Sequence, residues 1–281
     1  MLRQLSSSPW FLLPIFITFL LQPLWTDRSG LIDASSDTPH SKRILLLTAH
    51  PDDECMFFAP TLLALMRDQG RSREVYSLCL SVGDADGLGE TRARELGKSL
   101  DILGIDERRR SVVDVPELKD NFTSSWDQQV IADLLRPYVA EHRIDTILTF
   151  DQGGVSGHLN HASLPRGAAQ LLSALPPGDR PRVFSLVTVP LVHKYIGPLA
   201  PLLAKLDVLY ATALRVASGG KSTTQSAQTI AFVAGLQDYL IALKAMRQHW
   251  SQLVWFRWLY VTFSRYMWVN EWVPVSVSED A

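Results

Sequence analysis

The 281 residues carry 27 Lys and Arg against 29 Asp and Glu, a net charge of −2 that excludes the basic stripe of a dedicated nucleic-acid binder. At 47% hydrophobic and 20% charged, the chain has enough apolar material for a sizeable core and is not disordered. Its two cysteines, Cys55 and Cys79, exclude a disulfide framework and a Cys-rich zinc site, and they fit a reducing compartment.

The first element is apolar. Trp10 to Trp25 contains no charged residue. As a helix these residues reach ~24 Å, short of a ~30 Å hydrocarbon core, and extension back to Leu5 makes a full span. Tryptophans bracket the run as interfacial aromatics do. Residues 1–25 are therefore read as a membrane anchor in preference to a cleaved signal, since no small-x-small cleavage site follows directly. Residues 26–41, rich in Ser and Asp, read as a polar linker.

From Lys42 strands and helices alternate. Ile44–Ala49, Val75–Val82, Ser111–Val115, Asp145–Phe150 and Val183–Val189 are short apolar runs of the kind buried on both faces of a parallel sheet. Helices fit between them, one from Pro60 towards Gly70, one stopping at Gly104, and one that Pro137 must kink or shorten. The alternation predicts an α/β domain with a Rossmann-like, mostly parallel, doubly wound sheet over 42–248. The remainder, 249–281, is aromatic: nine of the 24 residues from His249 to Trp272 are Trp, Tyr or Phe. It reads as packed on the domain or lying at a membrane interface, and the apolar stretch 197–209 reads as dipping into that interface.

Ligands of open α/β sheets bind beyond the carboxyl ends of the strands, and the polar residues collect there. His50-Pro51-Asp52-Asp53-Glu54 follows the first strand, Asp84 and Asp86 the second, and a Gly-rich loop carrying His158, Asn160 and His161 the fourth. Imidazole and carboxylate suit a hydrolytic zinc with three protein ligands and one open position. His50, Asp53 and His161 supply that set and leave Asp52 free as a base. Cys55 and Cys79 read as core. A two-metal phosphoesterase using Asp84 and Asp86 is the competing reading of the carboxylates.

The stretches 48–62, 89–105, 149–161, 193–196 and 252–267 carry a resemblance. The chain looks like the LmbE-like zinc de-N-acetylases, and these blocks resemble the eukaryotic N-acetylglucosaminyl-phosphatidylinositol de-N-acetylases. The resemblance implies metal ligation by His50, Asp53 and His161, with Asp52 as general base and His158 assisting the tetrahedral intermediate. Zn2+ is the implied cofactor, with Fe2+ or another divalent ion able to substitute. Family members acting on small thiol-sugars carry Asp where this chain has Asn160, so no relay role attaches to it. The implied substrate is a glycolipid, with Arg92 and Glu90 as candidate substrate contacts; a surface arginine and a helix cap are the plainer alternatives. Membrane lipids and other GPI-assembly enzymes are the expected partners. The expected setting is the endoplasmic reticulum membrane, single-pass, with the domain facing the cytosol. Flanking charge does not fix that orientation, and the sequon at Asn121 is usable only in a lumenal domain. A de-N-acetylase of a soluble N-acetylglucosamine conjugate, a non-catalytic sugar-binding homologue and a membrane-anchored scaffold are the rivals.

Overall fold

A computed structural model of the chain describes residues 22–26, 42–67, 73–217 and 230–275. Five strands form the parallel core: β2 (Lys42–Thr48), β3 (Arg73–Cys79), β4 (Arg110–Val112), β5 (Thr146–Phe150) and β6 (Arg182–Leu186). Ile44–Leu47 are fully buried, as a strand covered by helices on both faces requires. Three further strands, β1 (Leu24–Thr26), β7 (Ile230–Val233) and β8 (Val269–Pro274), extend the sheet in antiparallel fashion. The order is β1-β7-β8-β6-β5-β2-β3-β4.

The α/β expectation holds, with corrections. The sheet is mixed, since three of its eight strands run against their neighbours. The third expected strand shortens to Arg110–Val112, because only β3 flanks it and Val113 makes a single further backbone bond, to Cys79. Pro137 does not end its helix, which runs from Gln128 to His142. The aromatic carboxyl-terminal stretch includes β8, which lies between β6 and β7 with Trp272 wholly buried. The apolar run at the amino terminus falls mostly outside the described residues, but its last part is not helical. Leu24–Thr26 pairs with β7 through Leu24↔Val233 and Thr26↔Ala231. Among the described residues no helix is long and apolar enough to cross a membrane.

Besides two single turns at Gly154–Gly157 and Leu191–Lys194, the α-helices of the described residues are α1 (Asp53–Met56), α2 (Ala59–Arg67), α3 (Gly89–Leu103), α4 (Gln128–His142), α5 (Leu159–Ala174), α6 (Leu199–Ala217), α7 (Leu236–Met246) and α8 (Trp255–Phe263). Gly104 ends α3 at φ 86°, the left-handed cap position the sequence marks for it. The chain passes from β2 outward to β3 and β4, then returns to place β5 on the other side of β2. The crevice between the carboxyl ends of β2 and β5 is therefore the switch point where α/β sheets hold ligands. α4 packs closely on α5, and a β-carbon on Gly167 of α5 would lie inside the van der Waals contact of Ile131. Gly167→Ala should destabilise the domain by about 1–3 kcal/mol in chemical denaturation, and Ile131→Ala in the same chain should recover part of that loss.

Candidate metal-dependent active site

β2 delivers His50 and the start of α1 to the switch point, and the loop after β5 delivers His158 and α5. Asp53 accepts the backbone N–H groups of Ala49 (3.0 Å) and His50 (2.9 Å) on Oδ2, which leaves Oδ1 free to point inward. His158 sits at the amino-terminal cap of α5, and His161 lies one turn in. The His161 ring is held between Phe150 (4.1 Å, interplanar 4°) and His158 (4.6 Å, 16°).

The three expected ligands converge. His50 Nδ1 lies 3.2 Å from His161 Nε2, which lies 3.3 Å from Asp53 Oδ1. All three residues are buried. Their other atoms show what these atoms carry. His50 Nε2 donates towards Asp120 Oδ1 (3.2 Å) and Asn160 Oδ1 (3.2 Å), and His161 Nδ1 donates to the Gly154 carbonyl (3.2 Å). With those protons placed, Nδ1 of His50, Nε2 of His161 and Oδ1 of Asp53 face one another as lone pairs. Three acceptors at such distances repel unless a cation lies among them. Ligands bound tetrahedrally at ~2.0–2.1 Å stand about 3.3 Å apart, so the donor set and its spacing fit a zinc-like ion. Burial alone would lower the pKa of His50. The bond to Asp120 and the charges of Asp53, Asp120 and Asp52 reverse that and raise it, so the pocket attracts positive charge either as a proton or as a metal.

Asp52 stands beside this cluster and is not part of it. Its backbone is in the left-handed region (φ 119°, ψ −21°), and its N–H donates to Glu54 Oε2 (3.1 Å). Its Oδ2 pairs with Arg257 of α8 at 3.0 Å, and its Oδ1 lies 3.9 Å from Arg92. Glu54 is held in turn by His249 Nε2 (2.7 Å) and by the Ser99 hydroxyl. Both Glu54 and His249 are fully buried. Burial would raise the Glu54 pKa and lower that of His249, yet their mutual charge and hydrogen bond reverse both shifts.

His158 takes the N–H of Asn160 on Nδ1 (3.3 Å), which leaves Nε2–H as its outward donor. Burial, then the charges of His161 and His50, push its pKa down to about 4, so the ring is neutral at physiological pH. Asn160 ties α5 to the loop before α4, accepting from Asn121 N (3.0 Å) and donating to Ser124 O (2.8 Å).

Of the remaining candidates, only Arg92 reaches the site. Arg92 is not a surface arginine: it is buried, and its guanidinium grips the Gly83 and Pro51 carbonyls at 2.8 and 2.9 Å and lies 3.4 Å from Asp120. It braces the ligand loop from behind. Glu90 is exposed in the first turn of α3. Asp84 and Asp86 are exposed in a short turn, and Asp84 caps α3 through Gly89 N (2.7 Å), so the two-metal reading loses its carboxylates. Asp120, His249 and Arg257 are site residues that sequence reasoning missed, and Glu54, although part of the first candidate-ligand run, was given no role. Asp120 carried a signal as an acidic residue in the loop after a core strand.

A buried cluster of three potential metal ligands beside an unligated carboxylate, at the switch point of this sheet, is an arrangement compatible with a hydrolase that uses a metal. The fold agrees with known deacetylases. Teicoplanin deacetylase Orf2, solved in a zinc-inhibited form, superposes with a TM-score of 0.56 over 85% of this chain and 100% of its own, at 12% identity. N,N'-diacetylchitobiose deacetylase from Pyrococcus horikoshii gives 0.51 over 98% and 95%, at 14%. At such identities the likeness establishes the fold alone.

Sequence comparison goes further. Residues 45–172 match the family model PIG-L, GlcNAc-PI de-N-acetylase. The N-acetylglucosaminyl-phosphatidylinositol de-N-acetylase of Bos taurus is 39% identical over 81% of each chain. The protein of that name in Arthroderma benhamiae is 36% identical over 93% of this chain and 95% of its own. The chain belongs to the GlcNAc-PI de-N-acetylase family, and it is a hydrolase of a non-peptide N-acetyl amide.

Two outcomes follow from this geometry. Asp120→Asn should weaken divalent-metal affinity by about 10–100-fold in competition titrations, because the charged acceptor of His50 Nε2 is lost while every candidate ligand remains. Glu54→Gln should cost about 3–5 kcal/mol in denaturation, by stranding a buried His249 charge. The sign with pH is set by the two shifts. The Glu54 contribution is lost as pH falls through its lowered pKa, and the His249 contribution as pH rises through its raised one. The variant should therefore flatten the stability profile on both sides.

Proposed function

We propose that this chain hydrolyses the N-acetyl group of N-acetylglucosaminyl-phosphatidylinositol, giving glucosaminyl-phosphatidylinositol and acetate, the second step of GPI-anchor assembly. The observation that carries the reading is the convergence of three lone pairs from His50, Asp53 and His161 beside the uncoordinated carboxylate of Asp52. The relatives' names supply the substrate. The proposed cofactor is zinc, or Fe2+ in its place, held by His50, Asp53 and His161. Bound there, such an ion supplies a Lewis acid and lowers the pKa of a water towards ~7.

The rest is done by side chains. Asp52 takes a proton from the attacking water, and its ion pairs with Arg257 and Arg92 fix where that carboxylate points. The neutral His158 donates its Nε2–H to the acetamide oxygen as that atom gains negative charge. The C–N bond breaks as Asp52 returns the proton to the departing amine, so one water is consumed and acetate and a free amine leave. Phe122 packs against His158 with ring centres 4.2 Å apart. The proposed setting is the cytosolic face of the endoplasmic reticulum membrane, with residues upstream of Gln22 as the anchor.

The test is acetate release from N-acetylglucosaminyl-phosphatidylinositol in detergent. Activity should vanish on chelation and return with about one equivalent of zinc. Asp52→Asn should abolish turnover while metal content stays near wild type. His158→Ala should lower kcat by about 10²–10³-fold, again with the metal retained. Loss of metal in both variants would refute the assigned roles, and release that survives chelation would refute the metal dependence.

A further inference from the structure

The large apolar side chains that remain exposed are concentrated between Leu191 and Phe263. On α6, Leu199, Leu203, Leu206 and Tyr210 recur at spacings of four, three and four residues and form one outward stripe, while Ala200 and Ala204 face the sheet. On α8, Tyr260 and Val261 turn inward, and Trp255 (75% exposed), Phe256, Leu259 and Phe263 turn outward. The two helices abut where Gly197 N donates to the Phe263 carbonyl (2.8 Å), and a β-carbon at Gly197 would touch Thr262 O and Phe263 Cα. Leu191 and Val192, the latter 79% exposed, precede this junction. A helix apolar on both faces is normally buried on both, and here one face is left in the open.

We infer that this outward face of α6 and α8 seats on a phospholipid bilayer at headgroup depth and holds the catalytic mouth against the membrane plane. The reading rests on the glycolipid substrate proposed above. Two observations select lipid as the occupant. First, the chain upstream of Gln22 is the uncharged run from Trp10, and it joins the described fold at α6, where the buried Lys205 donates Nζ to the Gln22 carbonyl (2.6 Å). Gln22, the first described residue, thus lies against the helix that carries the exposed leucine stripe. Second, α8 carries exposed aromatics and a site residue on opposite faces. Outward are the aromatics suited to the headgroup–acyl boundary, and inward is Arg257, 3.0 Å from the Asp52 carboxylate. One helix diameter, about 10 Å, therefore separates the base from that boundary. A glycolipid head group needs no more lift than that to reach the site with its chains still in the bilayer.

The experiment uses the full chain in phosphatidylcholine vesicles. Both native cysteines are buried, so Leu206→Cys and Trp255→Cys can each be labelled selectively with an environment-sensitive fluorophore. Glu107→Cys, exposed beside the opposite edge strand β4, is the control. Labels at 206 and 255 should shift to the blue and be quenched by nitroxide lipids roughly twofold or more beyond the control. Leu206→Ser with Trp255→Ser should reduce turnover of vesicle-embedded substrate by about tenfold or more. Turnover of water-soluble N-acetylglucosaminyl-inositol phosphate should stay at the wild-type rate. Labels as wet as the control overturn the inference. So do labels that are shielded yet insensitive to nitroxide lipid, because a protein surface then covers the face. Acetate release with wet labels leaves the proposed reaction standing without the membrane face, and quenched labels without acetate release do the reverse.

Discussion

The site depends on a mutual repulsion that the fold maintains. His50, Asp53 and His161 each spend their other polar atoms on fixed partners, Asp120 and Asn160 for the first, the Ala49 and His50 amides for the second, and the Gly154 carbonyl for the third. What they turn towards one another is electron density alone. In a buried pocket such an arrangement is expensive without a cation, and the sheet, the α1 turn and the α5 cap keep the three groups from rotating apart. Stacking of His161 between Phe150 and His158 removes the remaining ring freedom.

A further set of side chains surrounds that pocket and converges on Asp52. Its backbone is held in a left-handed conformation by Glu54, which is itself clamped by His249, and its carboxylate is met by Arg257 and lies near Arg92. These partners come from α1, α3, the turn before α8, and α8 itself, spread over two hundred residues of sequence. The last part of the chain is thus built into the active site as well as into the sheet, where Trp272 fills the core.

Much of this was legible in the chain. The five parallel strands were visible as short, mostly apolar runs, since burial on both faces leaves room only for an occasional hydrogen-bonded Ser or Thr such as Thr149. The metal set was visible because all its members follow core strands, at the edge where α/β sheets bind ligands. What remained hidden depends on pairing between distant segments. β1 reads as the tail of an apolar run, β7 is only four residues, and β8 is masked by aromatic composition, and their antiparallel placement is decided by neighbours that sequence order does not reveal. Asp120 and His249 were passed over for the same reason, because neither sits in a motif and each acquires its partner only through the fold. Pro137 was over-read: it is accommodated within α4, where the lost hydrogen bond falls on an exposed part of the helix.

The placement of β1 has a mechanical consequence. The polar stretch 27–41 lies between β1 and β2, so it does not separate the upstream apolar run from the domain. The chain is already stitched to β7 before that stretch begins, and Lys205 fastens Gln22 one residue short of Pro23. A load on the run upstream of Gln22 would therefore enter the domain at β1, ahead of the polar stretch, so lengthening 27–41 would add no chain between that run and the sheet.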